Sequence, residues 1–361
     1  MRLELLDSRA PEVESLWREL DQPASRSFFT SWAWMGNWLA CLPPEYLPQL
    51  AVLRDLQGKP VSAFFLRGAP LTRLRMIKSN ALYFNCTGNQ RFDNLTIEYN
   101  GVVGREVSIG QLIDHVPGNW DELFLPALRP DAFHGLSDVV HRGYRVRIER
   151  TVPAHMVDLA RVRESGYIPL LGKKTRAHIR RSQREGGIVE TEFATDLPSA
   201  LSIYRDMVAL HQAQWHARGE PGAFADPWFD RFHRRLIADR FAHGEIQLVR
   251  LRSKDGPVAA LYSFIHGGRV LQYQSGRALV ENENVKPGYL AHTAAIEHNA
   301  KAGLNLYDFM GGDVHYKECL ATSSTSLVWA RVQRLRLRFL VEDRLREMVR
   351  ARRAAREPSR P

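Results

Sequence analysis

Between residues 303 and 317 the chain reads Gly-Leu-Asn-Leu-Tyr-Asp-Phe-Met-Gly-Gly-Asp-Val-His-Tyr-Lys. A short apolar strand is predicted over 304–309, with Asp308 on it, and a double glycine, Gly311-Gly312, follows close behind. Asp313, His315, Tyr316 and Lys317 then crowd into five residues. A carboxylate or an imidazole can take a proton near neutral pH. A phenol or an ammonium can face negative charge as it develops. Glycines beside a strand end let a ligand or another backbone approach closely. The plain alternative is a solvated polar turn, so the surrounding elements have to decide.

Other residues have chemical potential of their own. Arg176 and Arg180 lie four apart in a basic stretch with Lys173, Lys174, Arg181 and Arg184. On a helix they share a face and suit bidentate contact with a phosphate. Tyr273 and Ser275 share one face of a predicted strand, and Gln274 takes the other. His211 and His216 are five apart without the glutamate of a HExxH motif, so no metal site is expected.

The length of 361 residues fits two domains or one large one, and 44% apolar with 25% charged residues is ordinary globular composition. Apolar runs fall far short of a bilayer span. Acidic residues near the start argue against a signal peptide, and Cys41, Cys86 and Cys319 form no pair motif. These features suggest a cytoplasmic protein. The net charge of +10 is local: residues 331–361 hold eleven arginines against four acids, a net of +7. Such clustering argues for local anionic partners rather than a general nucleic-acid coat.

Residues 1–150 read as a mixed α/β unit: strands at 3–6, 49–54, 61–67, 120–125 and 144–148, with helices at 11–20 and around Trp32–Leu39. The second half repeats the theme. A strand at 155–158 precedes a basic helix at 174–184 that stops at Gly186-Gly187. Then come a strand at 189–193, helices at 197–218 and 227–239, and a hairpin of 246–252 with 257–266 turning at Asp255-Gly256. A third strand at 269–276, a helix from Pro287 to Ala302, the strand at 304–309 and a last strand at 326–332 follow. Leu337, Val341, Leu345 and Met348 make one apolar stripe on an arginine-rich terminal helix. Three meander strands, a crossover helix and another strand make a sheet that can open between strands three and four. The crossover helix then presents its N-terminal N–H groups at the opening, where a pyrophosphate fits.

This order resembles the GNAT acyltransferase fold, and more closely its BioF2-like branch, the CelD or cellulose-biosynthesis acetyltransferase group, which is related to the FemABX peptidyl transferases. The segments that carry the resemblance are Lys173–Ser182, Trp215-His216-Ala217-Arg218-Gly219 followed by Phe229, Pro257-Val258-Ala259-Ala260, Tyr273-Gln274-Ser275-Gly276, Pro287-Gly288-Tyr289-Leu290, and Tyr307-Asp308-Phe309 through Tyr316-Lys317. They cover about residues 153–320. Lys286-Pro287-Gly288-Tyr289-Leu290 stands where ordinary GNAT proteins have a Gln/Arg-x-x-Gly-x-Gly/Ala loop.

The resemblance implies an α/β (α+β) protein of tandem GNAT-like domains, each a mixed, mostly antiparallel sheet flanked by helices. Residues 1–150 would be a degenerate first copy, 151–333 the catalytic copy, and 334–361 an arginine-rich amphipathic helix and tail. It implies acyl transfer from acetyl-CoA or another acyl-CoA, without a metal, to an amino sugar or another cell-envelope polysaccharide precursor. Such an acceptor would be a glycan, a sugar nucleotide or a lipid-linked intermediate. Asp313 is then the first candidate for general base, His315 the second and Asp308 a rival, with Tyr316 and Lys317 facing the charge. Lys286, Gly288, Tyr289 and Leu290 would hold the CoA phosphates, with Gln274 beside the cofactor or acceptor. Arg176, Arg180, Trp215 and Tyr273 would meet the acceptor. The helix at 334–356 suits either packing on the protein or an anionic membrane at the inner face of the plasma membrane. Two alternatives are a FemX-like transferase using aminoacyl-tRNA, the one reading that involves nucleic acid, and a non-catalytic scaffold.

Overall fold

The computed structural model describes every residue except 22–26, 75, 96, 130–134, 281, 283 and 355–361. The first half holds β1 (Arg2–Asp7), α1 (Glu12–Leu20), α2 (Trp32–Cys41), β2 (Gln49–Arg54), β3 (Pro60–Arg73), β4 (Ile77–Phe84), α3 (Gln90–Asp93), β5 (Val103–Gly104), α4 (Ile109–His115), β6 (Glu122–Leu128) and α5 (Leu136–His141). β7 (Tyr144–Asp158) leads into the second half. There follow α6 (Leu159–Ser165), α7 (Lys173–Glu185), β8 (Ile188–Phe193), α8 (Leu197–His216), α9 (Pro227–Arg240), β9 (Ile246–Ser253), β10 (Gly256–His266), β11 (Arg269–Arg277), α10 (Pro287–Lys301), β12 (Leu306–Gly311), α11 (His315–Leu320), β13 (Ser323–Arg334) and α12 (Leu337–Ala354).

Sequence chemistry sets most boundaries. The β2–β3 hairpin turns where Asp55 Oδ1 accepts from the N–H groups of Gln57 and Lys59, with Gly58 at positive φ. Asp196 and Ser199 form a capping box at the start of α8. α7 ends at Gly186, and Gly187 turns left-handed.

All described strands join one sheet, in the order β1-β2-β3-β4-β6-β13-β7-β12-β11-β10-β9-β8, with β5 attached to β3. The order is the same from either end. Four antiparallel strands lead to a parallel neighbour: β6 beside β4, and β12 beside β11. Each parallel pairing lasts only three residues before the strands diverge, after Tyr83/Phe124 in one half and Leu271/Asp308 in the other. The closing strands are exchanged. β7 follows β6 in sequence but pairs with β12, while β13 follows β12 and pairs with β6.

Sequence periodicity suggests separate strands at 144–148 and 155–158; the structure joins them in β7. Pro153 costs the ladder a donor without ending the strand, because β13 pairs along it from Tyr144 to Met156. Residue 150, where the sequence suggests one half ends, lies inside this strand.

The two halves share a core. Trp17, Phe28, Phe29 and Trp34 from the first half and Phe232, Tyr262 and Phe264 from the second are buried in one cluster. Phe28 stacks on Phe264 at 4.4 Å, and Trp34 meets Phe232 edge-on at 4.9 Å. Burial of each such ring is worth roughly 1.5–3 kcal/mol. On the opposite faces, α6, α7 and α10 cover the second half through Tyr167, Ile179, Leu290 and Phe309, and α4 and α5 cover the first through Leu112 and Val139.

α12 is held by Phe339 and by a buried carboxylate. Glu342 bonds to Arg73 at 3.0 Å, Arg147 at 3.0 Å and Arg346 at 2.7 Å. Burial pushes its carboxyl up, but the three guanidiniums outweigh that and hold it below the ordinary range. Leu337, Val341 and Met348 of the expected apolar stripe are 81%, 53% and 51% exposed. Of the tail expected at 334–361, residues 355–361 lie outside the described residues.

Candidate active site

The parting of β11 from β12 is the opening that the strand order predicts. Around it the chain does not follow a regular path. Met310 has φ +61°, a left-handed conformation that costs a bulky residue energy. β12 bulges against β7 between Asp308 and Gly311. Asp308, fully buried, fixes the bulge: Oδ1 accepts from the Met310 N–H at 2.7 Å and Oδ2 from Arg269 at 2.9 Å. Burial raises its carboxyl, and Arg269 opposes the rise. Asp308 is an anchor, with both oxygens engaged.

Beyond Gly312 the sequence suggests a polar turn, but the structure makes α11. A helix advances 100° per residue, so it sorts its side chains by face. Tyr316, Lys317 and Leu320 turn toward the protein, while His315 and Glu318 turn out. Tyr316 stacks on the buried His292 at 5.7 Å, and His292 Nδ1 lies 3.0 Å from the Tyr307 hydroxyl. Burial, then the neighbouring Lys317, pulls His292 down to about 3, so it is neutral at physiological pH. Burial and Tyr289 raise the Tyr316 phenol to about 12. Lys317 Nζ donates to Gly311 O at 2.8 Å and Met310 O at 3.3 Å, which leaves one of its three N–H groups. Burial lowers the Lys317 pKa, against the pull of Glu98 and Asp308.

Glu98 is the residue that sequence reasoning missed. It comes from the first half, and its Oε2 accepts from the Gly311 N–H at 2.7 Å across 213 residues of sequence. Burial raises its carboxyl to about 7, against the opposing effects of that N–H and of Lys317. Gly311 is required for the approach: a Cβ there would stand 3.0 Å from Glu98 Oε1. The one available signal was an acid set between two large apolar residues, Ile97 and Tyr99.

Asp313 and His315 are not brought into this group. Asp313 is exposed and makes no side-chain bond among the described residues. His315 is exposed, with Nδ1 3.4 Å from Glu318 and Nε2 3.3 Å from Cys319 Sγ. Tyr273 belongs to the shared aromatic core and donates its hydroxyl to Leu95 O at 2.7 Å, which ties the two halves together. Gln274 follows it on β11, partly exposed.

The start of α10 is the second component. Pro287 has no N–H to satisfy, and Gly288 leaves the backbone uncovered: a Cβ there would meet only the Arg277 side chain, at 3.7 Å. Lys286 donates its N–H to Ser182 Oγ at 2.9 Å, and Arg181 bonds Asn284 at 3.0 Å, so the end of α7 flanks this helix start. Tyr289 is partly exposed beside Cys319, and Leu290 is buried in the core under α10. The four residues Lys286, Gly288, Tyr289 and Leu290 thus form the first turn, but the neighbours supplied by α7 are Ser182 and Arg181. Arg176 instead bonds Leu171 O at 3.0 Å, and Arg180 is exposed. Trp215 donates its indole N–H to His211 at 2.8 Å near the end of α8, and its contacts do not reach Glu98 or Lys317. Among the described residues no group of His, Cys, Asp or Glu side chains is placed to hold a metal ion.

A mixed sheet that parts at a short parallel pairing, with this strand order repeated in one chain, is a tandem GNAT fold. Residues 173–318 match the acetyltransferase (GNAT) domain family. Similar solved structures include FemX, with 7% identity over 93% of this chain and 98% of that one at a TM-score of 0.56. The C-terminal domain of a putative lysylphosphatidylglycerol synthetase from Agrobacterium fabrum is 12% identical over 91% of this chain and 94% of its own, at 0.52. A tandem GNAT protein from the clavulanic acid biosynthesis pathway is 14% identical over 93% and 99%, at 0.50. At these identities the likeness is one of fold. No curated protein matches the chain in sequence.

Proposed function

We propose that this chain is an acyl-CoA-dependent N- or O-acyltransferase whose proton acceptor is Glu98. The observation that carries this reading is the buried Glu98 carboxyl, raised to about 7, bonded to Gly311 and beside Lys317 where β11 and β12 part. A base titrating near the working pH is suited to accept a proton from an attacking amine or hydroxyl. Acyl-CoA, when bound, supplies an activated thioester. The exposed first turn of α10, with Lys286, Gly288, Arg277 and Arg181 about it, suits the CoA phosphates. Lys317 keeps one donor for the oxygen that becomes negative during transfer, and Tyr316, one residue before it, supplies a phenol to return a proton to the departing thiolate.

The acceptor class, an amino sugar or another cell-envelope polysaccharide precursor, rests on the resemblance to the BioF2-like and CelD group. An envelope setting also accounts for α12. Its exposed Leu337, Leu340, Val341 and Met348 stand among Arg336, Arg338 and Arg344, a composition suited to the anionic inner surface of a plasma membrane. Among the described residues no helix is long and apolar enough to cross a membrane.

The test is a titration of the purified chain with acetyl-CoA, longer acyl-CoAs and bulk tRNA. Saturable binding of a CoA thioester supports the proposal. Binding of tRNA without any CoA thioester replaces it with an aminoacyl-tRNA-dependent transferase, and binding of neither favours the scaffold.

A further inference from the structure

The first half has its own split, between the ends of β4 and β6, and a cavity of about 450 Å³ opens there. Trp34, Trp38, Phe92, Phe124 and Trp329 supply rings to its wall, and Arg150 stands among them. Its volume lies in the range of small-molecule pockets.

The charges in the wall are not equivalent. Glu149 is engaged by Arg331 at 2.6 Å. Asp93 accepts from the Thr87 N–H and hydroxyl and from the Gly88 N–H, each at 2.7 Å. Arg150 has no hydrogen bond or ion pair among the described residues. Its guanidinium carbon sits over the Trp329 ring, 3.8 Å from the centroid. Stacking uses the face of the guanidinium and leaves its in-plane N–H donors free. The wall therefore offers ring surfaces, donors and one unspent positive charge. Arg150 also acts electrostatically on Glu98, and Ile97, which lines the cavity, is the residue before it.

We infer that this cavity is the acceptor site. It takes a molecule with a ring body and one carboxylate or phosphate, whose anion pairs with Arg150 while its amine or hydroxyl reaches toward Glu98. This inference deepens the acyltransferase reading and rests on it for the word acceptor; the binding chemistry stands independently.

Two matched pairs of probes test it by calorimetry on the full chain without acyl-CoA: glucosamine 6-phosphate against glucosamine, and 4-phenylbutyrate against 4-phenylbutyramide. The anionic member of at least one pair should bind at least tenfold more tightly than its neutral partner and quench the fluorescence of the lining tryptophans. Arg150→Gln should erase that preference while leaving the circular dichroism spectrum unchanged. The pair that responds distinguishes a sugar body from an aryl one. No preference in either pair, or a preference that survives Arg150→Gln, overturns the inference. Loss of acetyl-CoA binding with the anion preference intact would remove the acyltransferase reading and keep the site.

Discussion

Glu98 lies in an irregular segment, and its importance is set by what surrounds it. A carboxyl with a pKa of about 7 should give kcat/KM a rising limb with a midpoint near pH 7, because only the ionised form accepts a proton. Glu98→Gln should remove that limb and lower turnover by about 10²–10⁴-fold. Asp313→Asn, at an exposed position, should leave turnover within about threefold of the parent under the same reading. The reverse pattern in a pH-rate profile would return the role to Asp313. A raised carboxyl also binds its proton more tightly in the folded chain than in the unfolded one. The folded state is therefore favoured most below the ordinary carboxylate range, and it loses stability as pH climbs toward 7, by up to ~3 kcal/mol. Denaturant midpoints of parent and Glu98→Gln proteins should diverge across that window. Gly311→Ala offers a second check: its Cβ would press on Glu98 Oε1, and turnover should fall at least tenfold with the fold retained. At this scale the sequence placed Tyr316 and Lys317 just beyond a strand, as the structure does. It could not reveal Glu98, because no local pattern records a contact across 213 residues.

At the scale of elements, long periodic segments were legible and short or interleaved ones were not. α8, α9 and α10 follow their caps and apolar spacing, and the β9–β10 hairpin follows Asp255-Gly256. β4 escaped notice because lysine, serine and asparagine interrupt its apolar positions, although its buried and exposed sites alternate. α11 has six residues, too few for a period to declare itself, so the sequence did not show that His315 turns out while Tyr316 and Lys317 turn in. α12 carries two predictions. Removing the Glu342 carboxylate by Glu342→Ala leaves Arg147 without its carboxylate partner and Arg73 with Glu122 alone, and should cost about 1.5–3 kcal/mol of stability, measured by urea denaturation. The double change Leu337→Ser with Val341→Ser touches exposed positions, so stability should stay within about 0.5 kcal/mol. Co-sedimentation with vesicles containing phosphatidylglycerol should nonetheless fall at least fivefold, and binding by the parent should weaken as salt rises. Equal sedimentation of parent and variant would leave α12 without a lipid partner.

For the whole molecule, the repeat of strand order and the exchange of β7 with β13 matter most. The sequence hints at the repeat through the mixed α/β order of each half. It cannot show the exchange, since β6 and β12 are buried almost throughout and no local pattern records which strand each pairs with. A fragment of residues 151–361 would lack Phe28, Phe29 and Trp34 beneath β10 and β11 and would leave half of β7 behind. It should be insoluble or bind a dye for exposed apolar surface, whereas co-expression with residues 1–150 should recover soluble protein. The exchange also sets a timetable for synthesis. β6 is complete at Leu128, but its neighbour β13 begins only at Ser323. At usual translation speeds that gap is roughly 10–40 s. For that interval the nascent chain presents an unpaired strand edge. Its yield in a cell should therefore depend on chaperone supply and elongation rate, and a slower ribosome prolongs the hazard.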